Sequence, residues 1–152
     1  MKRVFLAILI LIAIFLLWFL FRPRPTVDET ERYAKFSEDM KSVVLTGQST
    51  RLNRDGLFGP EHYYIDSVTH VSGDAWIFKC RLEENGKIPI PIPLKVQWAG
   101  DTPVITLTDL SIPGVGTYTA RVVLYRGQYA GTWSAAHGGG HLFGKIEKQT
   151  SQ

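Results

Sequence analysis

A single cysteine, Cys80, leaves the chain without an intramolecular disulfide and without a zinc site built on several thiolates. Positive charge is scarce once the first residues are set aside. Of 17 Lys and Arg, four (Lys2, Arg3, Arg22, Arg24) flank one apolar run, and from Pro25 onward 13 basic residues face 14 acidic ones. A pI near 9.1 therefore describes those flanks. The near-neutral remainder has no basic face with which to neutralise phosphates, so nucleic acid is not expected as a partner. Two catalytic signatures are missing as well. There is no Gly-x-Ser-x-Gly elbow to present a nucleophile, and no Gly-Lys-Ser/Thr leading into a helix to cradle a phosphate. With 152 residues, the chain has room for one domain of ordinary size.

What is present begins with an uninterrupted apolar run, Val4 to Phe21. Its eighteen residues would cover roughly 27 Å as a helix, enough to cross a thin hydrocarbon core. Lys2, Arg3, Arg22 and Arg24 place cations at both ends, and Trp18 suits an interface. The bulky stretch Leu16 to Pro23 offers no small-residue cleavage site, so the run reads as an uncleaved signal-anchor, not a removed signal peptide. Ala7 and Ala13 make no small-xxx-small seam, and no ionisable residue lies inside the run. Residues 1–24 are thus expected to anchor the chain in a lipid bilayer as a single pass. The short basic N-tail stays cytoplasmic, with the C-terminal domain outside.

Residues 25–47 read as a spacer and an amphipathic helix. Prolines stiffen Arg22 to Pro25, Thr26 or Asp28 can cap the helix, Asp28, Glu29 and Glu31 suit its positive end, and Gly47 can stop it. Tyr33, Phe36, Met40, Val43 and Val44 form its apolar stripe. Gln48 to Pro60 is polar and glycine-bearing, hence a loop. The rest of residues 48–152 reads as an antiparallel β domain of seven strands: His62 to Val71, Ala75 to Glu83, Ile88 to Trp98, Val104 to Leu110, Thr117 to Tyr125, Gln128 to Ala135 and His141 to Lys148. Alternation puts Trp76, Phe78, Cys80 and Leu82 on one face, which makes Cys80 a small hydrophobe of the core. In Ile88 to Trp98 three alternating prolines (Pro89, Pro91, Pro93) delete donors along one edge. That predicts an edge strand, and so a β-sandwich or a partly open barrel in preference to a closed one.

The stretch Tyr125 to Glu147 reads as a hairpin, with Gly138 to Gly140 at its turn and Gly131 and Gly144 leaving room for Trp133 or Phe143. His137 and His141 bracket the glycines and are weak candidates for a metal clasp, with His62 or an acidic residue completing it. This is the basis of a metal-dependent hydrolase as one alternative. His-Gly-Gly-Gly resembles the oxyanion-hole segment of lipases but stands without a nucleophile. Asp101 and Asp109 lie around one strand, and Glu61-His62 precede another, yet nothing local pairs the carboxylates. No set of nucleophile, base and orienting group assembles, so no catalytic residue and no cofactor is expected.

Through Trp98 to Ile105, Ile112 to Arg121 and the C-terminal hairpin, the chain resembles a family of N-terminally anchored bacterial envelope proteins over roughly Ile65 to Lys148. The resemblance implies a bacterial source and a shared β domain and brings no functional residue with it. Gly131-Thr-Trp133 is also similar to the calycin Gly-x-Trp, which calycins carry at their first barrel strand and not near the end. These readings converge on a non-catalytic binding or structural module contacting another envelope protein. The alternative is a calycin-like carrier of a small apolar ligand or lipid, with Trp98, Tyr129 and Trp133 as the contacts.

Overall fold

The computed structural model describes Ile12, Leu17 and residues 27–81, 89–112 and 116–149, and it comprises two compact units, Met1–Glu31 and Arg32–Gln152. The apolar run Val4 to Phe21 lies outside the described residues, apart from Ile12 and Leu17, which are helical and exposed. Among the described residues no helix is long and apolar enough to cross a membrane.

Among the described residues, helix α1 (Val27–Asp39) precedes eight strands: β1 (Val43–Arg51), β2 (Arg54–Ser72), β3 (Ala75–Arg81), β4 (Ile90–Ala99), β5 (Thr102–Ile112), β6 (Gly116–Tyr125), β7 (Gln128–Ala135) and β8 (Gly138–Lys148). Each strand pairs antiparallel with the next, and β8 returns to β1, so the sheet closes into a barrel. The expected mainly β architecture holds, with two corrections. The described residues form eight strands instead of seven, and the barrel is closed.

The extra strand comes from residues expected to end the helix and to form a loop. Ser42 takes a positive φ of 51° and breaks the helical path, so Val43 and Val44 leave the helix stripe and begin β1. Gly47 lies inside that strand, and the supposed loop to Pro60 is the β1–β2 hairpin, which Gly56 and Gly59 bend at φ of 104° and 133°. The proline segment behaves locally as expected. Pro91 and Pro93 sit in register with Lys79 and Ile77 of β3, while only Lys95 to Ala99 pair with β5. Closure survives because β4 divides its two edges along its length. Its proline half, up to Lys95, is paired with β3, and its other half, from Lys95 on, with β5. A cleft of about 40 Å3 between Ile90, Ile92, Pro93, Leu110 and Ile112 marks the unpaired part of the seam.

Eight strands enclose an interior just wide enough for side chains to fill. At the end where β1 begins, it is filled by Trp76 and Phe78, each 1 % exposed, with Val43, Ile65, Val68, Val96, Ile105, Val122 and Leu124. Phe36 of α1 and Met40, in the turn just after it, complete this core. The Phe36 ring stands edge-on to Trp76 at 5.1 Å and to Trp98 at 5.5 Å. The helix C-terminus is held by Lys148 Nζ, which donates to the carbonyls of Glu38, Asp39 and Lys41 at 3.1, 3.3 and 2.8 Å.

Candidate functional site

The opposite end, where β1 turns into β2 and β7 into β8, is polar inside. Cross-strand register lays one inward row around the wall: Tyr129 opposite Gly144, Gly144 opposite Gly47, and Gly47 opposite Glu61. Two consecutive glycines leave the Tyr129 ring free to lie across β8. Its hydroxyl reaches 2.3 Å from where a Cβ on Gly47 would stand, and so faces Glu61. Gly144 therefore does make room for an aromatic, but for Tyr129 and not for Trp133 or Phe143. Phe143 is on the outer wall. Gly138 to Gly140 belong to β8 without positive φ, and the turn is Ala136-His137.

The Glu61 carboxylate accepts hydrogen bonds from Ser49 Oγ at 2.6 Å on one oxygen and from Tyr63 Oη at 2.5 Å on the other. Among the described residues no Lys, Arg or His lies within ion-pair distance of it. Ser49 is buried, whereas Tyr63 is 42 % exposed, so solvent reaches this end of the barrel. Burial first, then the hydrogen bond to Glu61, raises the Tyr63 phenol far above its ordinary value. Burial, followed by the charge of Glu61, pushes Tyr129 up to about 12. Tyr129 is only 2 % exposed, and its hydroxyl has no hydrogen-bond partner among the described residues; the indole N–H groups of Trp133 and, at the helix end, of Trp76 and Trp98 are also unpartnered. Buried polar groups are almost always paired, so each exception needs an account. Tyr118, opposite Leu110 and Ala135, and Trp133, opposite Ala120 and Gly140, place two more aromatics on the inner face at this end.

The three aromatics singled out from the sequence therefore divide. Tyr129 and Trp133 line the polar end. Trp98 sits at the opposite end against Tyr33 and Phe36, with the Arg32 guanidinium 4.7 Å from its ring, as part of the helix contact. The histidines do not converge. His137 is in the β7–β8 turn. His141 lies on the outer wall, its Nδ1 3.2 Å from Thr50 Oγ1, and His62, also outside, has its Nδ1 3.4 Å from Thr46 Oγ1. Thr46 and Thr50 are four residues apart on β1, roughly 13 Å along a strand. Among the described residues no group of three or more His, Cys, Asp or Glu could hold a metal ion. Asp101 lies in the turn before β5, and Asp109 in a bulge toward its other end. Asp109, at φ 49°, pins a bulge by exchanging hydrogen bonds with Thr119 Oγ1 at 2.9 and 3.1 Å. Cys80 packs half-buried against the core, and its thiol is pushed up to about 12 by burial and then by Asp66.

Glu61 is the residue that the sequence misplaces, since it falls just ahead of the strand expected from His62. The signal was there in its phase. Glu61, Tyr63 and Ile65 alternate onto one face, and Ile65 is core.

Fold and site together define a closed antiparallel barrel with one end filled by its own helix and the other carrying a solvated carboxylate among aromatics. Comparison with protein-family models, with curated proteins and with solved structures finds no match for the chain.

Proposed function

We propose that the protein is a membrane-anchored, non-catalytic binding module of the bacterial envelope, whose barrel takes a small ligand at the Glu61 end. The observation that carries this reading is the Tyr129 hydroxyl, buried, unpartnered and turned toward Glu61. Leaving such a group unpaired costs about 1–3 kcal/mol, and a ligand that completes its bonding recovers that amount. The asymmetry of the interior supports it. Toward α1 the inner wall is apolar, whereas toward Glu61 it carries polar and aromatic groups, of which Tyr63 is exposed and Tyr129 is buried in the core cluster. The uncharged apolar run Val4 to Phe21, with its basic flanks, supports the anchor.

The test is titration of the full chain, in detergent micelles, with the uncharged apolar probe N-phenyl-1-naphthylamine. The indole N–H resonances of the tryptophans are followed by NMR. Saturable binding that moves Trp133 and spares Trp76 and Trp98 is the expected result. Absence of saturable binding, or shifts confined to the helix end, would overturn the site.

A second reading has its own observation. On the outer wall Val123, Ala130 and Phe143 are consecutive cross-strand partners, with Val123 and Phe143 about 40 % exposed, and they line a groove of about 560 Å3 with Gln128 and Lys145. Such a row favours contact with another envelope protein. Probe-induced shifts at Phe143 in place of Trp133 would support it.

A further inference from the structure

The geometry points to a primary alkylammonium, an amine cation on an apolar stem, as the ligand class of the Glu61 site; this rests on the binding reading just given. Three features of the site select charge and shape. First, Glu61 is a half-buried carboxylate with both oxygens fixed by hydroxyl donors, and among the described residues no cationic side chain lies within ion-pair distance of it. Each oxygen accepts one bond and keeps a lone pair. Such a carboxylate, reached by solvent and held by neutral hydroxyls alone, can take an ionic partner without first giving one up. Second, Tyr129 Oη stands over Gly47, the residue directly opposite Glu61, and is unpartnered. A group carrying several N–H donors can bond to the carboxylate and to the phenol oxygen together. A quaternary ammonium has no N–H to offer, and a carboxylate or phosphate would face Glu61 with like charge. Third, Tyr63, Tyr118 and Trp133 turn inward at this end, and aromatic faces attract cations by a further 0.5–2 kcal/mol or so. Beyond the head, inward Leu142 and Ala135 offer apolar wall for a stem of a few carbons.

Ser49 and Tyr63 act as positioning residues. Their hydroxyls spend their protons on Glu61, which leaves the carboxylate aimed inward with acceptor capacity only. A charge-assisted hydrogen bond from an ammonium is worth more than a neutral one, enough for a preference of tenfold or somewhat above over the matching alcohol.

The experiment compares hexylamine, hexanol and hexanoate on the full chain in detergent micelles at neutral pH, read at the Trp133 indole N–H. Hexylamine is expected to bind about tenfold more tightly than hexanol, and hexanoate more weakly than either. In Glu61→Gln the ratio of hexylamine to hexanol affinity should fall to near one, with cooperative thermal unfolding retained as the check on folding. Tyr129→Phe should reduce the same ratio severalfold. Micelles doped with phosphatidylethanolamine in one arm and phosphatidylglycerol in the other separate a lipid headgroup from a free amine. A Trp133 shift with the first and not the second identifies the headgroup, and a shift with hexylamine alone identifies the free amine. Equal affinity for hexylamine and hexanol, or an unchanged ratio in Glu61→Gln, overturns the amine assignment while the binding site stands. A protein that binds none of the three compounds nor N-phenyl-1-naphthylamine overturns both.

Discussion

Gly47 shows how much a missing side chain can decide. A Cβ there would lie 2.1 Å from the Phe143 carbonyl oxygen and 2.3 Å from Tyr129 Oη, so an added methyl must push β1 away from β8 or drive the phenol off its seat beside Glu61. Gly47→Ala should therefore destabilise the barrel by about 1–3 kcal/mol, the usual cost of overpacking a well-packed site. Urea unfolding measures this, and an unchanged midpoint would contradict the packing described. Tyr129→Phe should act in the opposite direction on the free protein. It deletes a buried hydroxyl that has no partner and keeps the ring over Gly144, so a gain of about 1 kcal/mol is expected, with ligand affinity lost in exchange. Stability raised and binding lowered by one atom distinguishes a site from a packing fault. A hydroxyl with no role would leave binding unchanged. Of these residues the sequence made Tyr129 and Trp133 legible through alternation, but not Glu61. Gly56, Gly59 and Pro60 looked like loop chemistry, whereas the bends they impose let a long β2 pass through them.

At the scale of elements, the strands best read from sequence were those with strict alternation and tight turns; β7 runs over Gln128–Ala135 as expected. β1 was hidden because Met40, Val43 and Val44 continue the spacing of Tyr33 and Phe36. Periodicity alone does not reveal that Ser42 leaves the helical region. The proline strand was half legible. Alternating prolines do mark an unpaired edge, but the edge lasts only while the prolines do, and Lys95 to Ala99 restore pairing with β5. The helix itself was legible as amphipathic, and its partner was not, since nothing in the stripe says that Phe36 ends beside Trp76, Phe78 and Trp98. That contact makes Phe36 a part of the barrel core. Phe36→Ala should cost about 3–5 kcal/mol, as for other fully buried aromatics, because Trp76 and Trp98 cannot close the space left behind. Calorimetry of the full chain checks it. A loss below about 1 kcal/mol, the range of surface changes, would mean that the helix lies on the barrel without sealing it.

Across the whole molecule, the barrel holds three acidic groups neutral beyond their ordinary range. Cys80 and Tyr129, on the inner wall, are both held neutral to about 12, and Tyr63 is raised further still. Their ordinary values are lower, near 8.5 to 9 for a thiol and 10 for a phenol. Between the ordinary and the raised value the unfolded chain has released these protons and the folded chain has kept them. Unfolding then releases protons, and stability falls as pH rises. The stabilisation is fully present below about pH 9, begins to be lost through Cys80, and is lost faster above about pH 10, where Tyr129 and Tyr63 join it; Cys80 and Tyr129 ionise near 12 in the folded state, and Tyr63 later. Thermal unfolding followed from neutral pH to pH 12 should thus show a plateau and then a steepening decline. Other phenols and lysines also titrate there, so the comparison with variants is decisive. Cys80→Ala should make the decline begin later, and Tyr129→Phe should make its upper part shallower. Curves that superimpose on the parent above pH 10 would show that Tyr129 is not held neutral by the barrel, and the account of a buried phenol facing Glu61 would fail with it.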